Sequence, residues 1–201
     1  RLLPAPAAIT ADRLGPRDVA AMVNMDLETC KKFLLAKNNA GELNIEKLCV
    51  VGLDVGATVA LDWARFDWSW PVYPGLKQGQ DVKALVLISP KWSFTGLSVQ
   101  AATAHPAVRV LSFYLMVGKD SSKDMADAQR IYNILARFHP SPKDNPELQD
   151  LFFAKFPTSV QGKELLVRFE QPVFQSIVYF IEQRVAKQPF PWQDRSKRKE
   201  E

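Results

Sequence analysis

One stretch constrains the fold more than any other: Leu48-Cys49-Val50-Val51-Gly52-Leu53-Asp54-Val55-Gly56-Ala57-Thr58-Val59-Ala60-Leu61-Asp62-Trp63-Ala64. It begins as an unbroken apolar run of strand type, passes through Gly-x-Asp-x-Gly, and continues with apolar residues at helical spacing. Strand, tight turn and helix within so few residues leave little room at the junction. The glycines two positions either side of Asp54 are therefore expected to be where strand and helix approach too closely for a side chain. Asp54 itself is expected at positive φ, which Asp tolerates better than most residues.

The rest of the chain repeats this alternation. Val19, Met22, Val23, Leu27, Cys30, Phe33 and Leu34 recur at three- and four-residue spacing and predict an amphipathic helix over 17–37, ended by Asn38-Asn39-Ala40-Gly41. The strand that opens this stretch is predicted over 47–51. After Gly56, Val59, Trp63 and Phe66 carry a helix to Trp70-Pro71. Ala84-Leu85-Val86-Leu87-Ile88-Ser89-Pro90 reads as a second strand, buried on both faces as in a parallel sheet. A short helix at 97–104, a third strand at 108–117, a helix at 122–138 and a fourth strand at 151–156 follow. A helix over 163–186 should be kinked or split by Pro172.

This order implies an α/β chain: a mostly parallel sheet with helices on both faces. The domain is placed at 17–187, after an extended lead-in (1–16) carrying Pro4, Pro6 and Pro16. A basic, disordered tail (188–201) follows. Of the 201 residues, 47% are hydrophobic and 24% charged, the balance of an ordinary globular protein. The net charge of +4 lies partly in Arg195-Ser196-Lys197-Arg198-Lys199, which argues against a nucleic-acid surface. No apolar run approaches the ~20 residues that span a membrane. The first residue is Arg1, so the chain is read as processed or as a piece of a longer one. Cys30 and Cys49 are expected to be small buried apolar residues and leave the compartment open. No clustered Cys/His set suggests zinc, Gly-x-Gly-x-x-Gly is missing, and no cofactor is expected.

Gly52-x-Asp54-x-Gly56, followed by a small residue and an Ala-containing helix, resembles the nucleophile elbow of the α/β-hydrolase family, with Asp54 where the serine would stand. The resemblance covers about residues 17–186. It implies the C-terminal half of a three-layer α/β-hydrolase-like sandwich: elbow strand, two further strands, a last strand and a final helix. The early strands, and the loop supplying one oxyanion donor, are absent. The elbow strand would then be an edge, and the expected partner is the missing N-terminal half or another chain completing the sheet.

Carried over residue by residue, Asp54 occupies the nucleophile position and Asp120, in Gly118-Lys119-Asp120, the acid position. Gln161 stands where the family histidine would be, before Gly162. Epoxide hydrolases and haloalkane dehalogenases, relatives in that fold, use an elbow Asp but still need histidine to activate water. Gln161 can orient a water but cannot accept its proton at neutral pH. The resemblance therefore implies a catalytically degenerate domain with a structural role, or binding a partner or small ligand. The alternative is an active hydrolase on an ester or related bond. Bland roles stand beside these: Asp54 as a helix cap, Asp120 as a turn residue, Gln161 as a loop residue. His105 and His139, each before proline, read as surface residues, and Trp63, Trp68, Trp70 and Trp92 as core and rim packing. Asp54-Val55-Gly56-Ala57-Thr58 also matches the Asp-x-Gly-x-Thr phosphate loop of actin-like ATPases, but that motif sits in a hairpin rather than before a helix.

Overall fold

A computed structural model describes residues 13–141, 143 and 146–196. Most of the expected lead-in and the last five residues of the expected tail lie outside the described residues.

Four strands, β1 (Leu48–Leu53), β2 (Val82–Ile88), β3 (Ser112–Gly118) and β4 (Leu151–Phe156), form one sheet in the order β1-β2-β3-β4. Every neighbouring pair is parallel. The two inner strands are buried on both faces, which explains their unbroken apolar runs. Alternate residues divide the core in two. Leu85, Leu87, Phe113, Leu115 and Leu151 face one layer. Ala84, Val86, Ile88 and Met116 face the other.

The first layer holds α1 (Pro16–Ala21), α2 (Leu27–Asn39), α3 (Val55–Trp68), α4 (Val99–Ala104) and α5 (Ser122–Leu135). Ala57, Leu61 and Ala64 of α3 and Ile131 and Leu135 of α5 seal it. The second layer holds α6 (Gly162–Arg168), α7 (Glu170–Ile181) and a closing π-helical turn, Glu182–Ala186. Leu165, Val173, Ile177 and Phe180 supply its apolar face. Pro172 splits the predicted long helix: it has no N–H for the carbonyl four residues back, and the break falls at Phe169, with φ −119°. No described helix is long and apolar enough to cross a membrane.

Three expectations need correction. The 17–37 helix forms, but a π-helical turn, Met22–Asp26, interrupts it. That wider turn rotates everything downstream. Lys31 and Asn38 face inward, while Cys30 and Phe33 are exposed. The third strand starts at Ser112, after a 3₁₀ turn at Val108–Val110. And the chain beyond residue 187 is held against the domain over 188–196. Asn44 donates to the Phe190 carbonyl, Trp192 to the Asn38 carbonyl, and the Arg195 guanidinium reaches the buried Asp81.

Candidate functional site

The carboxyl ends of β1, β3 and β4 carry the residues singled out from sequence. Asp54 sits at the sharp turn between β1 and α3 with φ 50° and ψ −120°, its N–H donating to the Ile88 carbonyl at 2.9 Å. Of the two flanking glycines, only Gly52 is sterically required. A Cβ there would lie 2.5 Å from both the Ala57 Cα and the Gly56 carbonyl. A Cβ at Gly56 would meet nothing within 4 Å.

A second strained turn lies beside the first. Ser89, buried at the end of β2, has φ 53°, and its N–H donates to the Met116 carbonyl at 2.8 Å. Its hydroxyl donates to Gln161 Oε1 at 2.7 Å and accepts the Gly162 N–H at 2.9 Å. Sequence reasoning passed over Ser89; the available signal was a hydroxyl between an apolar run and a proline.

Gln161 is correspondingly not an ordinary loop residue. Its Oε1 also accepts the Gly118 N–H at 3.1 Å, and its Nε2 donates to the carbonyls of Gly118 (2.8 Å) and Ser159 (3.2 Å). Two donated and two accepted bonds use the whole capacity of the amide. Gly118 allows this approach, since a Cβ there would stand 2.4 Å from the Val160 carbonyl. The side chain thus fastens the ends of β2 and β3 to the start of α6.

Asp54 is brought beside this clamp. A Cβ on Gly162 would fall 1.5 Å from Asp54 Oδ2, so the carboxylate occupies the space that the glycine leaves. It makes no capping bond to α3. Instead Oδ1 is ion-paired with Lys91 at 3.5 Å. Lys91 bonds more closely to Asp124, at 2.6 Å, and Ser121 donates to the same carboxylate at 2.5 Å. Partial burial opposes ionisation of Asp124. The bonds from Lys91 and Ser121, with the charges of Lys91 and Lys123, outweigh it and hold the carboxyl below its ordinary range. The Lys91 backbone is pinned to α3 by Thr58, which donates to the Lys91 carbonyl (2.9 Å) and accepts its N–H (3.2 Å).

Asp120 lies at the same end of the sheet, its N–H donating to the Thr158 carbonyl, but the residue is exposed. Its carboxylate has no hydrogen-bond or ion-pair partner among the described residues. The carboxylate coupled to Asp54 through a lysine is Asp124, one helical turn further on.

His139 corrects the expectation of a surface residue. The His139 side chain is 2% exposed. Its Nδ1 lies 2.6 Å from Asp150 Oδ1 and its ring packs edge-on against Phe113. Asp150 directly precedes β4, so this pair is at the amino end of the sheet, away from Asp54. His105 is half-buried; burial and the Arg65 charge lower its pKa. The tryptophans pack: Trp63 is buried, Trp68 donates to the Val82 carbonyl, and Trp92 stacks under Arg130 at 3.8 Å. No group of three His, Cys, Asp or Glu among the described residues could hold a metal. No protein-family model and no curated protein matches the chain.

Proposed function

We propose that this is an α/β-hydrolase-like domain whose catalytic positions have been turned to structural use, and that it works by binding a partner and not by turnover. The observation that carries the reading is the saturated Gln161 amide. Every donor and acceptor it has is spent on Ser89, Gly118 and Ser159, so it has nothing left with which to orient water at Asp54. The ion pair with Lys91 points the same way, because it reduces the nucleophilicity of the Asp54 carboxylate.

The partner is a further strand, from the rest of the fold or from another chain. β1 is the edge of the described sheet. Its residues are all uncharged, and Val51 is exposed on it; natural edges are usually protected by charge or proline.

Hydrolysis of p-nitrophenyl acetate tests the reading. Neither a burst nor turnover above background is expected, with wild type and Asp54→Ala indistinguishable. Turnover that disappears in Asp54→Ala would overturn it in favour of an active hydrolase.

A further inference from the structure

At the amino end of the sheet, opposite Asp54, residues 71–73, 75–80 and 193–195 line an open cavity of about 310 Å³. That volume is at the lower end for small-molecule sites. We propose that this cavity binds a small, uncharged amide carrying an apolar group.

Its walls are built and not merely left by loose loops. Tyr73 and Leu76 bridge in a short hairpin, the Leu76 N–H donating to the Tyr73 carbonyl at 3.1 Å. Gly79 is jammed against the end of α3, where a Cβ would lie 2.3 Å from the Asp67 carbonyl. Gln80 holds φ 65°, secured by its N–H to the Asp67 carbonyl at 3.0 Å. The other described non-glycine residues at positive φ, Asp54 and Ser89, both belong to the site at the far end of the sheet. Strain of this kind persists only where surrounding structure enforces it, and it clusters at functional sites.

The ligand class follows from what the lining has to offer. Its cations are already matched. Lys77 pairs with Glu46 and with Asp81 (3.2 Å); Arg195 pairs with Asp81 and donates to the Lys77 carbonyl at 2.7 Å. Asp194 accepts the Ser196 N–H at 2.8 Å. A charged ligand would have to compete with these bonds. The side-chain amides of Gln78 and Gln193, by contrast, have no partner among the described residues. Val72, Tyr73 and Leu76 are exposed apolar residues of the same lining. Amide donors and acceptors beside an apolar wall suit a neutral amide with an aliphatic arm.

N-acetyl-leucinamide, titrated into the ¹⁵N-labelled chain and followed by NMR, tests this. Saturable shifts are expected at 72–80 and 193–195, with Asp54 and Gly162 unmoved. Gln78→Leu with Gln193→Leu, which breaks no described bond, should weaken binding roughly tenfold or more through two lost hydrogen bonds. N-acetyl-glycinamide, lacking the apolar arm, should bind wild type more weakly. The proposal is overturned by an absence of saturable shifts, by shifts elsewhere, by an unchanged double variant, or by equal binding of the glycine amide. Tighter binding of butyrate or butylammonium would overturn it too, since it would assign charge recognition. None of these readouts depends on ester chemistry at Asp54, so this proposal and the one above fail separately.

Discussion

Gly52 and Gly56 look equivalent in the sequence and are not in the structure. Alanine at 52 must push into the backbone of Ala57 and Gly56, where nothing flexible can yield. Overpacking of this kind costs about 1–3 kcal/mol. Alanine at 56 enters open space in the first turn of α3, where losing glycine's unfolded-state freedom is worth about 0.5–1 kcal/mol in the opposite direction. Urea unfolding of the two variants should therefore move the midpoint in opposite senses. The cysteines part company in the same way. Burial pushes the Cys49 thiol up to about 12, whereas Cys30 is exposed. Since the thiolate is the reactive form, Ellman's reagent at pH 8 should titrate one thiol per native chain and two in guanidinium.

Among the elements, α2 is joined to the end of α3 and the start of β2 by buried charge. Lys31 reaches Asp67 at 2.6 Å and Asp81 at 3.4 Å, while Asp67 Oδ2 accepts the N–H groups of Asp81 (2.7 Å) and Val82 (3.1 Å). Lys31→Met would leave Asp67 without its cation in a dry site, while Asp81 keeps Arg195 and Lys77, and breaking a buried pair from one side costs about 3–5 kcal/mol. Thermal melting should show a correspondingly large fall, mostly recovered by adding Asp67→Asn. At the other end of the sheet, Lys91 and Ser121 depress the Asp124 pKa. A carboxyl lowered in the folded state contributes stability above its unfolded pKa, and loses it as pH falls through the lower folded value. Stability measured down through that acid range should fall less steeply in Asp124→Asn than in wild type. An equal slope would mean that the Lys91 contact has no energetic weight.

Across the whole molecule, the segment 188–196 closes the amino end of the sheet. Its Arg195 side chain is 5% exposed against Asp81 and Glu46. Truncation after Lys187 would unseat that cation and also the contacts of Phe190 and Trp192 with Asn44 and Asn38. The truncated chain should melt well below the full one, and hydrogen exchange should speed up first at the start of β2. In the intact chain the slowest exchange is expected in β2 and β3, which are buried on both faces, and faster exchange in β1, whose outer edge carries no described partner.

Much of the architecture was legible in the sequence. Four strands, their alternation with helices, the positive φ of Asp54 and the break at Pro172 all follow from local pattern: runs, periods, breakers and a tight turn act between residues a few positions apart. The tertiary structure decided what depends on distant pairs. Ser89 meets Gln161 across 72 residues, and Arg195 meets Asp81 across 114. Neither residue type announces such a partner. The inward turn of Lys31 was hidden for a related reason. One π-helical turn rotates the helix, and the buried Asp67 and Asp81 give the ammonium a use inside, so a face read from strict helical spacing points Cys30 and Phe33 the wrong way. At the candidate site, sequence placed Asp54 and Gln161 at one end of the sheet. Only the folded chain shows the Gln161 amide saturated and Asp54 bound to a lysine, because both facts arise from side chains that converge from separate strand ends.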